Sequence, residues 1–105
     1  MKETAIIHRN LRRQLLNEQD QLLTEVLIHS STFNYSFIRL REGASLVVHE
    51  STGDIAMQII SGQGKLALES EVLLVEEGDF IFMSAHTVQR LEAETEMAIL
   101  HVLTH

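Results

Sequence analysis

From residue 22 onward, the hydrophobic positions of this chain fall in short runs that are separated by turn residues. The runs are rich in β-branched, aromatic and leucine side chains, and turn chemistry bounds each of them, so the pattern predicts short β-strands. The predicted strands are 22–29, 33–40, 44–49, 55–60, 65–69, 72–75, 80–83, 87–92 and 96–103. Many short strands at even spacing favour an antiparallel sandwich or barrel, and the predicted fold class is therefore all-β.

Apolar and polar positions alternate within several of these strands. Leu66 and Leu68 share one face of their strand, and the aromatic residues of strand 33–40 share one face of theirs. The opposite faces hold Lys65, Ala67 and Glu69 in one strand, and Asn34, Ser36 and Ile38 in the other. Because side chains alternate along a strand, we expect one face of each strand to be wet and the other to meet the core.

The glycines mark the predicted turns. Glycine adopts positive φ without a steric penalty, so it is favoured where the chain reverses. All five glycines are assigned to turns on this basis: Gly43, Gly53, Gly62, Gly64 and Gly78.

Residues 1–21 are predicted to be an N-terminal arm, and residues 22–105 the barrel, of a single domain. Leucines within 8–23 recur at roughly helical spacing, which favours a helix. Asn17, Asp20 and the lack of a clear N-cap weigh against it, so we predict irregular structure or a strand.

Composition narrows the possible functions. A chain of 105 residues with a net charge of −7 and no cysteine is one domain without disulfides or thiolate sites. Its acidic surface is expected to repel phosphates, which argues against binding nucleic acid. No apolar run approaches the ~20 residues that span a bilayer, and the first residues lack a secretory signal. The sequence therefore predicts a cytoplasmic protein that does not interact with membranes.

Two stretches of the chain have the glycine spacing of a known pair of motifs. Residues 43–62 resemble G-x5-H-x-H-x(3,4)-E-x6-G, and residues 78–93 resemble G-x5-P-x-G-x2-H-x3-N. These are the motifs of the RmlC-like cupin superfamily, and the chain is similar to its small single-domain bacterial members. The resemblance implies an antiparallel jelly-roll barrel.

The resemblance also implies where a metal site would lie, since metal-binding cupins hold the ion with three histidines and a glutamate. His49 matches the first histidine, but Ser51 and Gln89 stand at two other histidine positions and Ile55 at the glutamate position. Neutral hydroxyl and amide groups are poor ligands for a divalent transition metal. No cofactor is therefore expected, and the metal motifs are degenerate.

A relocated metal site is the alternative. His49, His86 and His101 would supply three imidazoles if the fold brought them together, as in several catalytic zinc centres. The simpler interpretation is that His86 is an exposed turn residue and that His101 is a half-buried strand residue with a satisfied ring nitrogen.

Three functions remain open. The first is a metal-poor barrel that binds or senses a small molecule through His49, Ser51 and Gln89, beside apolar residues such as Met57. The second is a metal-dependent oxygenase or isomerase that uses the relocated histidines. The third is a scaffold or interaction barrel with no small-molecule role, so whether the chain is an enzyme stays open, with non-enzymatic binding favoured.

A homodimer is expected with all three functions, because exposed strand edges need pairing or covering. The apolar segments 5–7 and 22–23 are the candidate contributors to its interface.

Overall fold

The computed structural model describes residues 6–8, 10–11, 21–48 and 51–105. Its regular elements are β-strands that run from residue 22 to the end of the chain. They are β1 (Leu22–His29), β2 (Phe33–Leu40), β3 (Ser45–Val48), β4 (Ile55–Ser61), β5 (Gln63–Ala67), β6 (Val72–Glu76), β7 (Phe80–Met83), β8 (Gln89–Ala93) and β9 (Met97–Thr104). No helix long and apolar enough to span a membrane occurs in this part of the chain.

The strands form two antiparallel sheets. The larger sheet has the order β1-β2-β9-β4-β7, and the smaller sheet has the order β3-β8-β5-β6. Strand β9 is central in the larger sheet, where it pairs with β2 on one side and β4 on the other. The predicted all-β class and antiparallel arrangement are therefore confirmed.

One hydrophobic core lies between the sheets. Both sheets contribute alternate residues to it, because the side chains of each strand point in turn inward and outward. The buried core residues are Ile38, Leu40, Ala44, Ile55, Met57, Ile59, Leu66, Val75, Met83, Leu91, Ala93, Met97 and Ile99. Leu66 is buried and Lys65 and Glu69 are not, as the alternation of that strand predicted.

The prediction that Gly64 lies in a turn is wrong. Gly64 is a residue of β5, paired with Val75 on one side and Ala93 on the other. A Cβ at Gly64 would lie 2.4 Å from the carbonyl oxygen of Glu92 and 2.8 Å from Sδ of Met97. Glycine is required here because the neighbouring backbone approaches closely, while the turn itself needs only Gly62, whose φ is +86°.

The prediction of one wet face is also wrong for β2. Its inner face carries Ser36 and Ile38, which are buried, yet Phe37 on the outer face is only 1% exposed. On this outer side Ile7 and Leu11 line an apolar concavity together with Leu27, Ile28, Tyr35 and Leu100. Alternation separates the two faces of a strand but does not reveal whether a segment distant in sequence covers the second one. The choice between helix and strand for residues 8–21 lies mostly outside the described residues.

Candidate functional site

Gln89 is a polar residue on the inner face of the smaller sheet. It is 3% exposed and alternates along β8 with Leu91 and Ala93, which belong to the core. Its Nε2 is buried and has no hydrogen-bond partner in the described part of the chain. A side-chain amide offers two donors on that nitrogen, so Gln89 brings unused hydrogen-bonding capacity into the interior.

His101 is the corresponding polar residue on the inner face of the larger sheet. It alternates along β9 with Met97 and Ile99, which are fully buried. Its register partners are Ser36 on β2 and Met57 on β4. Nε2 of His101 is buried and finds no hydrogen-bond partner among the described residues. Each sheet therefore carries one buried nitrogen on its inner face that has no partner among the described residues.

Burial sets the charge state of His101. Desolvation lowers the pKa of its imidazole below the ordinary value of 6.5, because removal from water penalises the charged form. The register partners Ser36 and Met57 do not titrate, so neither supplies a compensating charge. At neutral pH the ring is therefore uncharged, with one nitrogen as donor and the other as acceptor.

The lowered pKa of His101 predicts a pH dependence of stability. Above pH 6.5 the residue is neutral in both the folded and unfolded chain and has no effect. As the pH falls below 6.5 the unfolded chain binds the proton first, so stability is lost progressively down to the folded pKa. We expect the free energy of unfolding, measured by urea titration between pH 8 and pH 5, to fall more steeply in the wild type than in His101→Gln. The control is His8→Gln, which changes an exposed histidine, and its free energy of unfolding should vary with pH as in the wild type. If the free energies of unfolding of the wild type and His101→Gln fell in parallel with pH, this account would be contradicted.

Ser51 lies in a turn that connects two loops at one end of the barrel. Its hydroxyl donates to the carbonyl oxygen of Gly53 at 2.7 Å, and its own carbonyl accepts the backbone N–H of His86 at 2.7 Å. The N–H of Ala85 donates to Oδ1 of Asp54 at 2.9 Å, so the two loops are joined twice. The Ser51 hydroxyl is thus engaged in its own turn, and its remaining capacity is as an acceptor.

The candidate metal ligands are only partly placed. His86 is a turn residue with a φ of 69°, and His101 is half-buried inside the barrel. His49 lies outside the described residues, so its relation to either of them stays a prediction. Within residues 6–8, 10–11, 21–48 and 51–105, no three histidine, aspartate or glutamate side chains are grouped to hold a metal ion.

The described residues at the motif positions do not fit a divalent transition metal. The side chain of Ile55 has no atom that can bind a metal and is packed in the core. The hydroxyl of Ser51 donates a hydrogen bond to Gly53, and the buried Gln89 offers only a neutral amide. Such sites are held by imidazole, carboxylate or thiolate groups, and none of these three residues supplies one.

Two features of the interior were not predicted from the sequence. Ser36 is buried opposite His101, and His101 lies directly beside Met57. A signal for Ser36 was present, since it shares a strand face with Ile38 and Leu40. The position of His101 beside Met57 depends on the pairing of β9 with β4, which residue spacing does not encode.

The fold and the interior together define an antiparallel two-sheet barrel that encloses a few polar groups in an apolar core. No family model matches the sequence, and no curated protein matches it. Solved structures, in contrast, do match this chain. The chain is 25% identical to a conserved protein of unknown function from Streptococcus pyogenes, with a TM-score of 0.78 over 98% of this chain and 96% of that one.

Other solved structures identify the fold. An RmlC-like cupin protein from Desulfovibrio desulfuricans is 18% identical, with a TM-score of 0.82 over 95% of this chain and 97% of that one. Salicylate 1,2-dioxygenase from Pseudoaminobacter salicylatoxidans, in a G106A mutant, is 19% identical, with a TM-score of 0.74 over 88% of this chain and 28% of that one. The chain has the fold of a small cupin.

Proposed function

We propose that this cupin barrel binds a small molecule in its interior and acts as a metal-poor binding or sensory domain. The observation that carries the proposal is the pair of unpaired nitrogens, Nε2 of Gln89 and Nε2 of His101, on the inner faces of the two sheets. Leaving a buried polar atom unsatisfied costs about 1–3 kcal/mol, so native proteins keep few of them. A bound molecule that pairs with both nitrogens offsets that cost.

The chemistry of the two groups limits the ligand. The amide nitrogen of Gln89 donates, so the ligand must present an acceptor such as a carbonyl or hydroxyl oxygen. His101 is neutral at pH 7 and therefore offers no positive charge to a strong anion. The apolar residues of the core, including Met57 beside His101, favour a compact body with few polar atoms. A small neutral or weakly anionic molecule meets these conditions, with His49 and Ser51 as further proposed contacts.

Ligand binding is testable by thermal unfolding in the presence of small polar metabolites. A compound that binds only the folded barrel raises the free energy of unfolding, and the unfolding temperature rises with it. The gain in free energy is about 2.7 kcal/mol when the compound is present at 100 times its dissociation constant. We expect at least one neutral or monoanionic compound to do so. If a broad set of such compounds leaves the unfolding temperature unchanged, the third function, a scaffold barrel with a filled interior, replaces the proposal.

A metal-dependent enzyme is the second candidate, and one observation favours it. A neutral imidazole with an unpaired Nε2, as in His101, is the form of histidine that binds a metal ion. Such an enzyme would need His49 and a further ligand close to His101. The donor set at Ser51, Ile55 and Gln89 does not provide them, so the binding barrel remains the proposed function.

Elemental analysis of untagged protein separates these two candidates. We expect substoichiometric manganese, iron, nickel, copper and zinc after growth in metal-supplemented medium, because the described donors at the motif positions are a neutral hydroxyl and a neutral amide. The His49→Ala and His101→Gln variants should give the same result as the wild type. One metal ion per wild-type chain, lost in both variants, would replace the binding proposal with the enzyme.

A further inference from the structure

Two histidines lie together at one end of the larger sheet. His29 is the last residue of β1, and His105 directly follows β9. Their ring centroids are 6.4 Å apart, and the ring planes meet at 69°. We name these two residues the outer histidine pair. Because both are exposed, the pair is separate from the buried Gln89 and His101 of the proposed ligand site.

Backbone hydrogen bonds hold both histidines in place. His29 is in register with Asn34 across the hairpin formed by β1 and β2. The N–H of His105 donates to the carbonyl oxygen of Thr32, in the turn of the same hairpin, at 2.8 Å. The hairpin and the residue that follows β9 are therefore joined, and this junction presents the two imidazole rings side by side.

Asn34 fixes the protonation of the His29 ring. Nδ1 of His29 donates to Oδ1 of Asn34 at 2.6 Å, because an amide oxygen can only accept. The hydrogen of the neutral ring is therefore on Nδ1, and Nε2 carries the lone pair. Histidines that bind a metal ion usually donate their other ring N–H to an oxygen in this way, which orients the ring and makes the binding nitrogen more basic. His29 already makes this hydrogen bond.

The distance between the rings suits a single metal ion. With metal–nitrogen bonds of about 2.0–2.1 Å, two imidazoles on a tetrahedral ion have centroids about 5 Å apart. The observed separation of 6.4 Å is slightly larger, and rotation of two exposed side chains can close it. The net charge of −7 on the chain also attracts cations.

The kind of ligand determines which ions fit. Imidazole suits zinc, copper and nickel, whereas magnesium and calcium prefer oxygen ligands. Among the described residues, no third histidine, aspartate or glutamate joins the pair. Water would therefore complete the coordination, and two protein ligands hold an ion less tightly than the four of a structural zinc site. We expect a dissociation constant for zinc on the order of 10 micromolar.

We propose that the outer histidine pair binds one divalent transition-metal ion, with Nε2 of His29 and the ring of His105 as ligands and Asn34 as the residue that orients His29. An ion in this position connects the β1–β2 hairpin to the end of β9, so its binding stabilises that end of the larger sheet. An ion bound this weakly leaves during purification, so the elemental analysis of the isolated protein is unaffected. The proposal does not depend on ligand binding inside the barrel.

Zinc titration of the untagged full chain, in competition with a chromophoric chelator, tests the proposal. We expect the wild type to bind one zinc ion per chain, and His29→Gln and His105→Gln each to bind at least about 10-fold more weakly. Asn34→Ala should weaken binding about 10-fold, because the His29 ring is no longer oriented. Asn34→Asp keeps an oxygen acceptor for Nδ1 and should bind zinc at least as tightly as the wild type. A purely structural role of Asn34 does not predict this recovery.

His8→Gln and His101→Gln are the controls, since each removes a histidine outside the pair, and both should bind zinc like the wild type. Three outcomes would overturn the proposal. The wild type could fail to bind zinc, zinc affinity could be unchanged in His29→Gln or His105→Gln, or it could be lost in His101→Gln, which would locate the ion inside the barrel. Unfolding temperatures without zinc verify that each variant is folded, as expected for substitutions of exposed side chains.

The two proposals of this article fail separately. Loss of zinc binding in the variants of the outer histidine pair leaves the response to small metabolites unchanged, because that ligand contacts Gln89 and His101. Conversely, a barrel that binds no metabolite can still bind zinc at His29 and His105.

Discussion

The Gln89→Met variant is expected to unfold at a higher urea concentration than the wild type in the absence of ligand. Methionine has nearly the volume of glutamine but no polar amide, so it fills the same space at the start of β8. The substitution removes the buried Nε2 that has no partner among the described residues. Since an unsatisfied buried donor costs about 1–3 kcal/mol, we expect the free energy of unfolding to rise by about 1 kcal/mol.

A surface glutamine supplies the control for this prediction. Gln63→Met changes an exposed side chain of β5 and should alter the free energy of unfolding by less than about 0.5 kcal/mol. If Gln89→Met instead destabilised the protein by more than about 1 kcal/mol, the size of a lost hydrogen bond, the amide would be satisfied in the free protein. Bound water would then account for the interior polar groups, and they would be structural.

The Gly53→Ala variant is expected to lose about 3 kcal/mol or more of stability, which corresponds to a fall of more than about 12 °C in unfolding temperature. A Cβ at this position would lie 1.5 Å from the carbonyl oxygen of Thr104 and 2.6 Å from its carbonyl carbon. Both are backbone atoms at the end of β9, where the N–H of Thr104 donates to the carbonyl of Asp54 at 3.0 Å. The loop and the strand must therefore separate.

Gly43→Ala separates this clash from the ordinary cost of replacing a glycine. Gly43 has a φ of +85°, and a Cβ added there would meet no atom within 4 Å. Alanine at this position is therefore penalised only for adopting a left-handed backbone conformation, which costs about 1 kcal/mol. Thermal unfolding of both variants should show the larger loss in Gly53→Ala. Equal losses of stability in the two variants would mean that Thr104 does not approach Gly53 closely enough to clash with a Cβ.

The strands were predictable because their signal is local. Apolar runs and turn residues placed every strand, and β1, β2 and β7 have the predicted bounds. The predictions that were wrong depend on contacts between residues that are distant in sequence. Gly64 was assigned to a turn because glycine is typical of turns, whereas its role is to admit the backbone of Glu92. The burial of Phe37 on the outer face of β2 likewise could not be predicted from alternation within that strand.

The candidate site was predictable in part. The motif resemblance drew attention to Gln89, and the structure shows that it is buried and alternates along β8 with Leu91. The motif resemblance did not indicate that His101 would lie beside Met57 with its Nε2 unpaired. That position depends on the order of the strands in the sheet, which the spacing of residues along the sequence does not determine. The roles of His49 and Ser51 in binding remain predictions.

Calorimetric titration of a stabilising metabolite into the wild type, Gln89→Met and Gln63→Met tests the central claim most directly. The account predicts a single site per chain in the wild type and in Gln63→Met. In Gln89→Met it predicts affinity lower by about 10-fold or more, since one buried hydrogen bond is lost. Equal affinity in all three proteins, or no heat of binding in the wild type, would contradict the claim that the barrel interior is the ligand site.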